Sequence, residues 1–280
     1  MKTPLIPTLI LLFSTLTIFA QRKKSSAEVG IFLGGSYYIG ELNQKHLGAF
    51  TKPAGGLVFR YNFNKRLAAR ANALVGIVEA HDSNSESPAQ RQRNLSFKSN
   101  IIEASGQLEF NFLDYEIGNE KRKFSPYIFG GLAVFNFNPQ ADLGGQWVSV
   151  QPLGTEGQGL PYGASKRKYR LTEISLPFGV GIKTNLADGI GLSLEWGMRK
   201  TFTDYLDDVS KRYYNPDDIA AAHGPGAAIL SDPSIGTDPN YSNVGRQRGN
   251  PTNQDWYAFV GAALTIKISQ KEKRCPGVGN

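Results

Sequence analysis

Eight stretches of the chain alternate apolar and polar residues, each over about ten residues, and a period of two is the signature of a strand. They cover approximately residues 27–38, 54–63, 66–79, 96–112, 125–137, 170–183, 190–201 and 255–268. In the last of these, Ala258, Val260, Ala262, Leu264, Ile266 and Ile268 fall on one face, and Tyr257, Phe259, Gly261, Ala263, Thr265 and Lys267 on the other. Unbroken apolar faces recur on the second strand (Leu57, Phe59, Tyr61, Phe63), the fourth (Ile102, Ala104, Leu108, Phe110, Phe112), the sixth (Ile174, Leu176, Phe178, Val180, Ile182) and the seventh (Ile190, Leu192, Leu194, Trp196, Met198). A soluble sandwich hides such a face and uses shorter strands, whereas a closed sheet turns it toward lipid. The pattern predicts an all-β fold: an eight-stranded antiparallel transmembrane β-barrel with long loops on one side.

The polar rows carry charge. Arg60, Arg70, Lys183 and Arg199 stand against Glu103, Glu109, Glu173 and Glu195, four of each sign. Eight strands enclose room for side chains but not for an open channel. Isolated buried charges are costly, so these eight residues are predicted to fill the lumen as ion pairs. Gly34, Gly56, Gly130, Gly179, Gly181, Gly191 and Gly197, on or beside the inward rows, leave space for them. Aromatic residues near strand ends (Tyr61, Phe63, Phe110, Phe112, Tyr127, Phe137, Trp256) are expected to form interfacial girdles.

An even number of strands puts both termini on one side. Connections on that side are short (64–65, 113–124 and 184–189), and those on the other are long (39–53, 80–95, 138–169 and 202–254). Outer-membrane barrels sort their loops this way, with the short turns periplasmic. Residues 1–20 have one lysine, an apolar core from Leu9 to Phe19 and a small residue before Gln21, the pattern of a secretory signal peptide. The expected domains are thus a signal peptide at 1–20 and the barrel at 21–280. The sole cysteine, Cys275, lies in a polar tail and cannot form an intrachain disulfide. The net charge of +7 comes from local clusters such as Lys121–Arg122–Lys123 and Lys166–Arg167–Lys168. For an exported chain these suit acidic proteins or anionic head groups rather than nucleic acid.

Little in the sequence points to catalysis. His46, His81 and His223 sit in different long loops, and no nucleophile has a dedicated base. LGTEGQG, Leu153 to Gly159, lacks the lysine and strand–helix setting of a phosphate loop. No enzyme activity, cofactor or small-molecule substrate is expected. Thr201 to Pro216 predicts a loop helix capped by Thr203, with Asp204, Asp207 and Asp208 early and Lys211 and Arg212 late, matching the helix dipole. The three carboxylates form a candidate calcium cluster without an EF-hand pattern.

Several segments carry a resemblance: SYYIGELN near residue 36, FRYNFNKRLAARAN near residue 59, FNFNPQA (135–141), WVSVQPLGTEGQG (147–159) and RKTFTDYLDDVSKRY (199–213). Together they resemble the PorG family, a small outer-membrane barrel of the type IX secretion apparatus of Bacteroidota. The resemblance implies an integral outer-membrane, non-enzymatic component that associates with the periplasmic ring of PorK and PorN. That ring works with the PorL/PorM motor to export proteins bearing C-terminal signals. The basic turn at Lys121, Arg122 and Lys123 is the candidate contact with the ring, together with residues 21–26 and the tail from Gln270. The alternatives are a generic OmpA-like structural barrel and a small porin.

Overall fold

The computed structural model describes residues 25–43, 51–234 and 242–268. The expected signal peptide, His46, Cys275 and the tail from Gln270 lie outside them. Nine strands form one antiparallel sheet: β1 (Ser26–Ile39), β2 (Lys52–Asn62), β3 (Leu67–His81), β4 (Ser96–Asn111), β5 (Phe124–Leu143), β6 (Gln146–Ser149), β7 (Thr172–Ala187), β8 (Ile190–Thr201) and β9 (Trp256–Ile268). Neighbours run β4-β3-β2-β1-β9-β8-β7-β5, and β4 pairs with β5 to close the ring. The seam between first and last strands is in full register, from Ala27↔Ile268 to Ile39↔Trp256. All eight predicted strands are present, and closure leaves none of them with an unpaired edge.

The ninth strand, β6, is outside the ring. β5 continues past the barrel and folds back at Asp142–Gly145, where Gly144 (φ 62°) and Gly145 (φ 91°) adopt left-handed backbone that residues with a side chain rarely take. The Gly145 amide donates to Asp142 Oδ1 at 2.7 Å, fixing the turn. Among the described residues, three short α-helices lie in the long loops: α1 (Pro88–Arg93), α2 (Pro216–His223) and α3 (Pro225–Ser231). No described helix is long and apolar enough to cross a membrane.

Alternation puts one row of each strand inside and one outside. The outside is an apolar belt of large side chains, including Leu33 (64% exposed), Leu57, Ile102, Leu108, Leu132, Ile174, Val180 and Ile266. The predicted outward rows of β2, β4, β7 and β8 all face this way. At the end where β1 begins and β9 finishes, Tyr61 packs edge-on against Phe63 and Phe110 against Phe112. At the far end, Trp256 meets Phe178, and the Trp196 indole N–H donates to Tyr37 Oη at 2.7 Å. Tyr127 and Phe137 do not belong to these girdles, contrary to the sequence expectation. They are buried in the lumen with Phe129 and Phe135, while Ile128, Leu132 and Val134 of the same strand face out. Both rows of β5 are apolar, so periodicity could not assign its faces.

The interior has two layers. Charges fill the half nearer the termini. The far half is an apolar core in which Phe32, Leu74, Val78, Phe97, Ile101, Phe135, Phe137 and Phe259 pack with Leu206 and Val209 of the long loop. The lumen is therefore wet-type chemistry at one end and a dry protein core at the other.

Candidate functional site

The lumen network is built by inward positions on all eight strands of the ring. Arg60 Nε donates to Glu109 Oε1 at 2.9 Å and its Nη1 to Glu28 Oε2 at 2.7 Å. Lys183 Nζ meets Glu109 Oε2 at 2.8 Å, and Arg70 Nη1 lies 3.6 Å from Glu109 Oε1. Glu109 is thus surrounded by three cations. Arg70 also holds Glu195 Oε2 at 2.5 Å, and the Tyr127 hydroxyl donates to the same oxygen at 2.8 Å. Further toward the far end, Arg199 Nε donates to Glu103 Oε2 at 3.0 Å and Tyr257 adds a bond of 2.9 Å. Aromatic faces complete the cation shells: Arg70 lies 4.5 Å from the Phe129 centroid and Arg199 4.7 Å from that of Phe259.

Seven of the eight residues proposed for the lumen from sequence meet in this network; Glu173 does not. It sits at the far rim, half-buried, one residue into β7, and joins no ion pair among the described residues. Glu28 takes its place, so four buried anions still face four buried cations. Its row on β1 reads Ser26, Glu28, Gly30, Phe32, Gly34, and one acid among glycines and an aromatic gave no charge signal.

Both mouths are covered. At the terminus-side end, Tyr115 and Ile117 of the 112–123 turn are buried under the barrel. Lys267 Nζ donates to the Ile117 carbonyl at 3.1 Å, and Lys183 lies 5.2 Å from the Tyr115 ring. The outer side of this turn is polar. Arg122 lies 3.8 Å from Glu116 and 3.9 Å from Asp114, while Lys121 and Lys123 are exposed.

At the far end, residues 202–215 plug the mouth. The predicted helix over 201–216 does not form: the segment is turns and extended chain, and helix begins only at Pro216, capped by the Asn215 side chain. Charge placement favoured a helix locally, but burying Leu206 and Val209 in the barrel core and anchoring their flanking acids overrode that preference. Glu156, from the LGTEGQG turn, accepts the amides of Ser210 at 2.8 Å and Lys211 at 3.0 Å and meets Arg248 at 3.3 Å. Asp208 accepts the Thr155 hydroxyl at 2.5 Å and that of Tyr169 at 2.7 Å. Gly154 and Gly157 of that turn take left-handed backbone (φ 61° and 73°), and the Glu156 amide between them donates to Gln158 Oε1 at 3.0 Å.

The Tyr38 hydroxyl lies 2.6 Å from Asp207 Oδ2 and 2.8 Å from Asp255 Oδ1, and it accepts the Glu41 amide at 3.0 Å. A phenol has one hydrogen to give, so one of the two carboxyls must carry a proton and donate. Burial is the first cause pushing Asp207 up to about 8, with the Glu41 charge second. Burial likewise raises Asp204 to about 8, Glu41 to about 7 and Asp208 to about 6, the last against the pull of Arg248. The carboxylates proposed for calcium are engaged in or buried by this plug. No group of three or more His, Cys, Asp or Glu among the described residues is arranged to hold a metal.

A family model, the domain of unknown function DUF6089, matches residues 4–218. The chain belongs to the DUF6089 family. No curated protein matches it. Among solved structures, this DUF6089 barrel is similar to neisserial surface protein A (13% identity, TM-score 0.39, covering 88% of this chain and 100% of that one). It is also similar to the N-terminal β-barrel domain of OprF from Pseudomonas aeruginosa (11% identity, TM-score 0.35, 87% and 100% coverage). A third is the outer membrane protein OprG from the same organism (9% identity, TM-score 0.32, 88% and 95% coverage).

Proposed function

We propose that this DUF6089 protein is an integral outer-membrane barrel that serves the type IX secretion apparatus as a non-enzymatic component, associating with the periplasmic PorK/PorN ring. The observation that carries a non-transport role is the closed axis of the barrel. A plug at one mouth, an apolar core, a layer of ion pairs and a buried turn at the other mouth succeed one another along the lumen. Function then resides on surfaces. The apolar belt supports the membrane assignment, because a closed sheet with such an exterior is stable where lipid covers it. The sequence segments resembling PorG support the secretion role. On the terminus-side turn, Arg122 lies near Glu116 and Asp114, and the exposed Lys121 and Lys123 are the groups it offers to an acidic neighbour.

Deleting the gene is expected to abolish export of type IX cargo while other outer-membrane proteins assemble normally. Normal cargo export with a leaky envelope would favour the OmpA-like structural barrel instead. Photo-crosslinking from position 121 is expected to capture a ring protein, and labelling only of lipid would refute that contact. A porin is separated by planar-bilayer recording: the reconstituted barrel is expected to show no stable open level, and a reproducible conductance would contradict a filled lumen.

A further inference from the structure

At the far rim, on the outside of the barrel, a cleft of about 810 Å³ lies between the ends of β1, β8 and β9 and the 247–254 segment. That is within the roughly 300–1,000 Å³ typical of ligand sites. Its floor is at the upper edge of the apolar belt. Trp256 and Lys200 extend the outward rows of Val260 and Met198, and the Lys200 ammonium sits 5.9 Å from the Trp256 centroid. Lys200 has no carboxylate partner among the described residues. Arg93 and Arg248, which also line the cleft, are consumed by Asp82 and by Glu156. The opposite wall presents the exposed side chains of Gln247, Asn253 and Gln254, whose amides make no hydrogen bond within the described residues. Glu41 lines the cleft as well, and its Oε2 is out of solvent without a hydrogen-bond partner.

An indole, an unpaired ammonium and free amides make a set of groups with distinct tasks. The indole gives an apolar face for a sugar ring, amides exchange hydrogen bonds with hydroxyls, and a lysine takes a phosphate as a point charge. Opening at the top of the belt, the cleft admits a head group whose tails lie along Val260 and Met198. We propose that it binds the phosphorylated sugar head group of an outer-leaflet glycolipid. The assignment rests on the barrel being an integral membrane protein, and the test scores that separately.

The full chain is purified in an amine-oxide detergent, which carries no sugar, and its insertion into phospholipid vesicles is measured first. A chain that stays in solution without detergent and does not insert overturns the membrane assignment itself. The inserted protein is then titrated with diphosphoryl lipid A, its dephosphorylated form and phosphatidylglycerol, reading bound lipid by native mass spectrometry. Expected is saturable binding of lipid A, weakened about tenfold by dephosphorylation or by Lys200→Gln. The exposed pair Asn253→Ala and Gln254→Ala should weaken both lipid A forms alike, while phosphatidylglycerol competes poorly. Equal binding of lipid A and phosphatidylglycerol, unchanged by either variant, would overturn the proposal. So would equal binding of the acyl-free phosphorylated disaccharide, which would move the ligand from the membrane to solution.

Discussion

Glu109→Gln is expected to destabilise the barrel more than any other single change in the lumen, by about 3–5 kcal/mol. Glu109 is fully buried and faces Arg60, Lys183 and Arg70 at 2.9, 2.8 and 3.6 Å. Removing its charge leaves four buried cations against three anions, with no solvent to take up the excess. The cost lies in the orphaned cations rather than in the lost bonds, and this distinguishes the account from simple loss of packing. The double variant Glu109→Gln with Lys183→Met restores three of each sign. It should therefore be more stable than Glu109→Gln alone, although two native side chains have gone. Urea unfolding in vesicles or detergent, followed by the mobility difference between heated and unheated samples, reads both. Additive losses in the double variant would show that charge balance does not hold the lumen together.

The second large effect is on the far-side plug, which is expected to loosen as pH rises from about 6 to about 8. Asp207 and Asp204 titrate near 8 in the folded protein against about 4 in an unfolded chain. The folded plug therefore holds protons that the released loop gives up. Its stability is fully present below about pH 4 and declines as pH climbs toward the folded values. Asp207, fully buried, contributes on the order of 1 kcal/mol per pH unit in that window, and solvent screening makes the share of the less buried Asp204 smaller. Protection factors of residues 202–215, in which the base-catalysed rise of intrinsic exchange is divided out, should fall accordingly, while those of β-strand amides hold. Asp207→Asn keeps a neutral partner near Tyr38 and should flatten the response. Equal protection factors at both pH values in the native protein would refute the protonated plug.

Much of the barrel was legible because its outward rows are apolar at every second position, so errors of face would have broken the pattern at once. The rows of Leu57, Ile102, Ile174 and Leu194 needed nothing else. Legibility failed where both faces of a strand are apolar. Tyr127 and Phe137 of β5 look outward by composition, yet they line a lumen whose far half is a protein core. It failed again where one charge stands on a row of small residues, as Glu28 does, and at the rim, where Glu173 keeps the period but leaves the network. The plug was the least legible part. Its acids are spaced like the first turn of a helix, and their true partners, Tyr38, Thr155, Tyr169 and Arg248, come from three distant segments. Nothing local in the chain records those meetings.

The seam between β1 and β9 sets the order of assembly. Ala27 pairs with Ile268, and Thr265 donates to Glu28 at 3.1 Å, so the earliest and the latest strands complete one another. The cylinder cannot zip shut until β9 is available to pair with β1. Until that moment two naked strand edges and part of the ionic lining need protection, and a chain missing its final strand would have no means of shutting the gap.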